Sequence, residues 1–276
     1  MQTASKKVVN GWAMYDWANS VYNLVITTTF FPIYFLAVTS SNDNNTVHFL
    51  GRDFVNSSLY DYTLAASYLL IAILYPILTS IADTRGNKKN FMRFFCYMGS
   101  LGSSLLYFFD STNLWLGIIA FMLAAMGFVG SLVFYNAFLP EIAAPEDRDR
   151  ISAKGFSYGY TGSVLMQIIG FVLIIVMKDN TGRATQITFL LVGIWWAGFA
   201  QITFARLPET KNKFYKKGNV FKDGFSEVKK VYNEIKGLPV LKRFLRAFFF
   251  YSMGVQTVMM VATLFGAKLL DRKSVV

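Results

Sequence analysis

Asp16, Asn19, Asn23 and Thr27 follow one another at steps of three and four inside an otherwise apolar stretch, Gly11–Val38. On a helix all four fall on one face. The stretch is long enough to cross a bilayer, which takes about 20 residues per span. A carboxylate at the centre of a membrane helix costs roughly 2.5–3.5 kcal/mol on insertion scales, and less near an end. A stripe of this kind belongs against other protein or a water-filled path, so its chemistry is that of binding and passing a polar solute. Asp16 has two readings. It is a site for a proton or a solute's charge, or it caps the end of the span and pairs with a basic loop. Its place a few residues inside the boundary favours the gate or cap, which leaves Asn19, Asn23 and the deeper Thr27 as the solute-facing candidates.

Catalytic chemistry has no comparable footing. His48, the only histidine, sits in a polar loop and reads as a solvated residue without a role, so no base stands beside a serine nucleophile. No metal-ligand cluster, Walker loop or Gly-x-Ser-x-Gly occurs. Cys96 is the only cysteine and cannot form an internal disulfide. Gly155, Gly159 and Gly162 with Ser163 have no strand before them, and small residues at that spacing let membrane helices approach closely. The chain reads as no enzyme, with no metal and no cofactor.

The elements that must position these residues are membrane helices. The 276 residues are 54% hydrophobic, 17% aromatic and 16% charged, against about 25% charged in soluble domains. After the first run come Tyr62–Ala82, Phe91–Phe109, Leu114–Leu139, Phe156–Met177, Gln186–Ala205 and Phe244–Ala267, with a polar loop at Thr39–Asp61. The first run is too long for a signal peptide and lacks a cleavage site, so it reads as a retained span. With a cytoplasmic N-terminus, 21 of the 27 Lys and Arg fall on inside segments, which fixes that orientation. The net charge of +11 then marks a membrane face and needs no nucleic acid.

The basic segment Arg206–Lys242 holds Phe221, Phe225, Val228, Val231 and Ile235 at helical spacing among lysines. That pattern fits an amphipathic helix on anionic lipid headgroups, and equally a linker helix packed on its own protein.

Thr79–Lys89, between the second and third runs, places Asp83, Arg85, Gly86, Lys88 and Lys89 in a short turn. This turn resembles the loop motif of the major facilitator superfamily, departing from it at Thr79 and Thr84. Asp83 would favour a helix N-terminus or an arginine, Arg148 or Arg150, when the cytoplasmic side is closed. Trp12–Ser20, Leu139-Pro140-Glu141, Arg150–Gly155, Gly159–Ser163 and Leu207–Thr210 resemble the vacuole effluxer branch of that superfamily, which includes the autophagy-related vacuolar amino-acid exporters and bacterial relatives. The resemblance implies an all-α polytopic membrane protein built as a major facilitator helical bundle, here truncated after the seventh transmembrane helix. Residues 1–207 would be the first six-helix bundle, 208–242 a cytoplasmic connector, and 243–276 the first helix of a second bundle.

The same resemblance implies Asp16, Asn19, Asn23, Tyr135, Asn136 and Gln256 as cavity-lining residues. Ser252, Gln256 and Thr263 share a face in the seventh run, as Asp16, Ser20 and Thr27 do in the first. Glu141 joins the charged face at the cytoplasmic end of the fourth run. The expectation is a secondary transporter of a small polar solute in a bacterial inner membrane, with amino acids the implied substrate class, export the implied direction and a proton admitted as coupling ion. Two alternatives stand beside it: a half-transporter or non-transporting subunit, and a seven-helix receptor. The receptor conflicts with the N-in charge bias, and a retinal protein would need a lysine in mid-span, whereas Lys268 is at the edge.

Overall fold

A computed structural model of the chain describes residues 2–40, 45–84, 88–209 and 220–273. The first apolar run is one continuous rod of three parts: α1 (Lys6–Val21), a π-helical segment (Tyr22–Phe30) and α2 (Phe31–Thr39). Three threonines, Thr27, Thr28 and Thr29, gather in the C-terminal half of the π segment. Thr28 and Thr29 both donate their hydroxyls to the Leu24 carbonyl, each at 2.7 Å, and side chains that enter the backbone ladder are a recognised cause of local unwinding. Pro32 follows in the first turn of α2, and because the rod is continuous its missing N–H removes one bond from the ladder where the π segment passes into α2.

The polar loop at Thr39–Asp61 is more ordered than its composition suggests. It contains a two-residue β-hairpin, β1 (Thr46–Phe49) and β2 (Arg52–Val55), with Thr46 opposite Val55 and Phe49 opposite Arg52. Leu50 and Gly51 both have positive φ, 52° and 74°, as a tight hairpin turn requires. Phe49 anchors the hairpin on Trp115, with ring centroids 4.3 Å apart. His48 Nδ1 lies 2.8 Å from Asp53 Oδ1 on the exposed surface.

The remaining runs are α3 (Asn56–Thr84), α4 (Lys88–Leu105), α5 (Leu114–Ile142), α6 (Arg148–Val176), α7 (Thr181–Arg206), α8 (Val220–Lys236) and α9 (Pro239–Lys273). Among the described residues, five helical stretches are long and apolar enough to cross a membrane: Lys6–Thr39, Asn56–Thr79, Leu114–Ile142, Pro145–Val176 and Lys178–Arg206. The α4 helix is shorter and richer in serine. It offsets those hydroxyls internally, Ser100 donating to Cys96, Ser103 to Gly99 and Ser104 to Ser100.

Packing follows the small residues. The α4 helix lies between α5 and α7, and α1 lies between α6 and α7. A Cβ on Gly127 would collide with the Gly99 backbone, so this glycine pair sets how closely α4 and α5 cross. Aromatics fill the interior: Phe31 stacks on Phe121 at 4.4 Å and meets Tyr60, Phe109 and Phe189 at about 6 Å. The α8 helix runs along α3, and α9 runs beside the π segment and α2.

Candidate functional site

The seam between α1, α5 and α6 gathers the polar residues of the first span. Asp16 is buried, and its Oδ2 accepts a hydrogen bond of 2.8 Å from the Tyr135 hydroxyl of α5. Trp12, one turn earlier on α1, fixes that tyrosine twice. Its ring stacks on Tyr135 with centroids 4.3 Å apart and an interplanar angle of 11°. Its indole N–H donates to the Tyr135 carbonyl at 3.0 Å. The spacing of Trp12 and Asp16 puts both on one face of α1, so α1 grips a single residue of α5 at ring, carbonyl and hydroxyl.

The α6 helix closes the seam with glycine. A Cβ on Gly155 would lie 2.6 Å from Asp16 Oδ2 and 2.8 Å from the Tyr135 hydroxyl. One on Gly159 would lie 2.6 Å from Ser20 Oγ, and one on Gly162 2.8 Å from the Trp17 carbonyl. The three glycines therefore make one groove that receives Asp16, Trp17 and Ser20. Trp195 of α7 covers its edge, stacking on Trp17 at 5.4 Å and donating its indole N–H to the Trp17 carbonyl at 3.0 Å. Asn19 is fully buried next to this groove. Its Oδ1 takes a long 3.4 Å bond from Ser20, and its Nδ2 has no hydrogen-bond partner.

The polar stripe expected on one face of the first span is not uniform in its surroundings. Asn19 and Thr27 are buried, whereas Asn23 between them is exposed. A π segment starts at Tyr22, and its i→i+5 bonding advances each residue through a smaller angle than an α-helix does, so the α-helical spacing does not carry unchanged from Asp16 to Thr27. Thr27 accepts through its backbone carbonyl from the Tyr60 hydroxyl at 3.2 Å. Asn136 and Gln256 are also exposed.

The charged candidates lie at the end of the bundle where α1 begins, and each described one is already engaged. Lys88, buried at the start of α4, binds Glu141 Oε1 near the end of α5 and donates to the Ala137 carbonyl at 3.2 Å. Lys89 donates to the Leu207 carbonyl at 2.8 Å, just past the last turn of α7, where a cation meets the helix's negative end. Arg148 reaches the Ala143 carbonyl at 3.4 Å, and Arg150 pairs with Asp147 at 2.7 Å. Arg85 and Gly86 lie outside the described residues, as do the side chains of Asp83, Phe221, Val228, Val231 and Thr263.

Two clamps at this end had no counterpart in the sequence reading. Thr3 donates to Asp147 Oδ2 at 2.5 Å and accepts from the Ala144 N–H at 3.0 Å, while the Ala4 N–H donates to the Ile142 carbonyl at 2.8 Å. Lys154 of α6 donates to Asn10 of α1 at 2.7 Å. Neither leaves a local signal, because the partners stand more than 130 residues apart and are ordinary residue types for a loop and a helix start. Among the described residues no group of His, Cys, Asp and Glu could hold a metal ion.

The sequence matches the family model described as vacuole effluxer Atg22 like over residues 4–276. The uncharacterized MFS-type transporter YxiO of Bacillus subtilis is 32% identical over 271 residues, covering 95% of this chain and 61% of that protein. Autophagy-related protein 22 of Pyricularia oryzae is 26% identical over 276 residues, covering 71% of this chain and 40% of that protein. The protein of the same name in Coccidioides immitis is 22% identical, covering 95% and 59%. The chain thus spans no more than 61% of the length of these relatives. No solved structure matches it.

Proposed function

The chain belongs to the vacuole effluxer Atg22-like family, as an all-α polytopic membrane protein of major facilitator type, and from that premise we propose that it serves a secondary transporter rather than an enzyme. The solute is small and polar, with amino acids the favoured class and export the favoured direction, and it moves by alternating access. Residues 1–207 act as one bundle, 208–242 as a connector and 243–276 as the start of a second bundle. The N-terminus faces the cytoplasm of a bacterial inner membrane, and lipid covers the outer apolar faces.

The observation that carries this reading is the Asp16 carboxyl, sunk between three helices, held by one tyrosine hydroxyl and walled by glycine. A buried acid of this kind is retained in a membrane bundle for a task. Asp16 acts as a gate element: the Tyr135 bond keeps α1 seated on α5 in the closed seam, and a proton or a solute's positive group competes for the same oxygen. Asn19, with its unpartnered amide N–H, is the solute contact that opening of the seam exposes. The bonds from Lys88 to Glu141 and from Lys89 to Leu207 tie the start of α4 to the ends of α5 and α7, so they stiffen the bundle that must rock as a body.

Amino-acid counterflow in proteoliposomes, with and without a pH gradient, tests this for the protein and the Bacillus relative in parallel. Uptake that falls at least tenfold with Asp16→Asn and Asn19→Ala is the expected result. If neither protein moves any amino acid, the substrate class falls; if Asp16→Asn transports as wild type, the gate assignment falls.

A further inference from the structure

The π segment of the first span runs into a proline, and the two together deprive one backbone carbonyl of its ladder partner. The Phe31 N–H reaches back five residues to the Ile26 carbonyl. The next bond in that register would run from residue 32 to the Thr27 carbonyl, and residue 32 is a proline with no N–H to give. Thr27 is buried, where a carbonyl without a donor is costly.

The donor comes from α3. The Tyr60 hydroxyl donates to the Thr27 carbonyl at 3.2 Å. Tyr60 is itself buried, its ring set against Phe31, Phe35 and Phe121 with centroids 5.8–6.0 Å apart. A ring packed on several sides holds its hydroxyl at one level along the span. In an α-helical register the Phe31 N–H would serve the Thr27 carbonyl, four residues back, and Pro32 would deprive the Thr28 carbonyl instead. Proline thus leaves one carbonyl short of a backbone donor in either register, and a hydroxyl aimed at Thr27 favours the π register. The segment is nine residues long, more than the single turn such segments usually occupy, and they are frequent at functional sites.

We propose that Tyr60 is a positioning residue for the first span. Its hydroxyl stands in for the N–H that Pro32 lacks, holds Tyr22–Phe30 in the π register, and so sets the rotation of α1 on α2 at which Asp16 meets Tyr135. This last step rests on the gate reading of Asp16. Conversion of the segment to α-helix would turn α1 about its axis relative to α2, since each residue would advance through a larger angle. Asp16 and Asn19 would turn with it. Tyr60 acts on the seam along the rod, through the register of the backbone between.

A double-mutant cycle on the purified chain in detergent tests whether one donor replaces the other. Tyr60→Phe keeps the ring and should lower the melting temperature by roughly 2–4 °C, the shift expected for one lost hydrogen bond. In a Pro32→Ala background, where residue 32 has an N–H, the same change should lower it by less than about 1 °C. Equal losses in the two backgrounds, or no loss in either, overturn the proposal. NMR reads the bond directly: the labelled Thr27 carbonyl carbon should move upfield in Tyr60→Phe and return when Pro32→Ala is added. The labelled Asp16 carboxyl carbon should also move in Tyr60→Phe. A Thr27 carbonyl that does not respond overturns the donor assignment, and an Asp16 carboxyl that does not respond overturns the positioning role. None of these readings uses a solute, so a failure to move amino acids would remove the substrate class and leave this test intact.

Discussion

Tyr135 donates its hydroxyl to Asp16 across 2.8 Å and 119 positions of sequence, and this bond ties the first span to the fourth at its most polar point. Tyr135→Phe keeps the ring that stacks on Trp12 and removes only the donor. A buried polar group left without its partner costs about 1–3 kcal/mol. A lower melting temperature in detergent is therefore expected, with the overall tryptophan fluorescence little changed. An unchanged melting temperature would mean that water replaces the hydroxyl fully.

Gly155→Ala should destabilise the seam, because the new Cβ would press on both Asp16 Oδ2 and the Tyr135 hydroxyl. Overpacking of this kind costs typically about 1–3 kcal/mol. Gly198 on α7 is the contrast, since nothing lies within 4 Å of a Cβ built there. Gly198→Ala should be neutral or stabilising by roughly 0.5–1 kcal/mol, the ordinary gain of alanine over glycine in a helix. Thermal unfolding of the two variants side by side checks the pair.

Breaking the Lys88–Glu141 pair from the acidic side should cost more than removing it whole. The Lys88 side chain is only 5% exposed and that of Glu141 36%, so Glu141→Leu strands a buried cation. Fully buried pairs lose about 3–5 kcal/mol when one partner goes. Roughly 1–3 kcal/mol is expected here, because solvent reaches the glutamate. The double variant Lys88→Met/Glu141→Leu should recover part of that loss in a thermal double-mutant cycle.

Asp110, in the turn between the third and fourth spans, accepts bonds from both the hydroxyl and the N–H of Thr112, at 2.6 and 2.8 Å. The Thr112 hydroxyl, then its N–H, holds the carboxyl below the ordinary aspartate range. A carboxyl depressed on folding contributes stability above its unfolded pKa and loses it as pH falls through the folded value. Thr112→Val should move the carboxyl titration upward, toward an unperturbed aspartate, as read by NMR of labelled aspartate. No movement would show that the backbone bond alone sets the value.

How much of this was legible beforehand depends on which interactions are local. The apolar runs located the helices because burial in lipid is written along the sequence itself. The glycine spacing of α6 foretold close packing, though only the structure shows that the partner is the face of α1 bearing Asp16. Asp16 and Tyr135 were both singled out, yet their bond depends on the relative rotation of two helices, which no periodicity encodes. Lys88 and Glu141 were likewise placed on one charged face without being paired. The phase change within the first span was not legible because helical spacing assumes an unbroken α-helix, and the run Thr27-Thr28-Thr29 was the one local hint otherwise. The hairpin went unseen because Leu50-Gly51 lacks the Asn-Gly or Asp-Gly signal of such turns.

The π segment of the first span also has a consequence for how relatives are compared. A span with two helical phases cannot be read on a single wheel: residues up to Val21 and residues from Phe31 each keep their own clock, offset by the nine positions between. A chain that gains or loses one residue inside that interval can conserve its wall on both sides while every position in between trades neighbours. Position-by-position alignment through Tyr22–Phe30 will then score as divergence what is a change of phase.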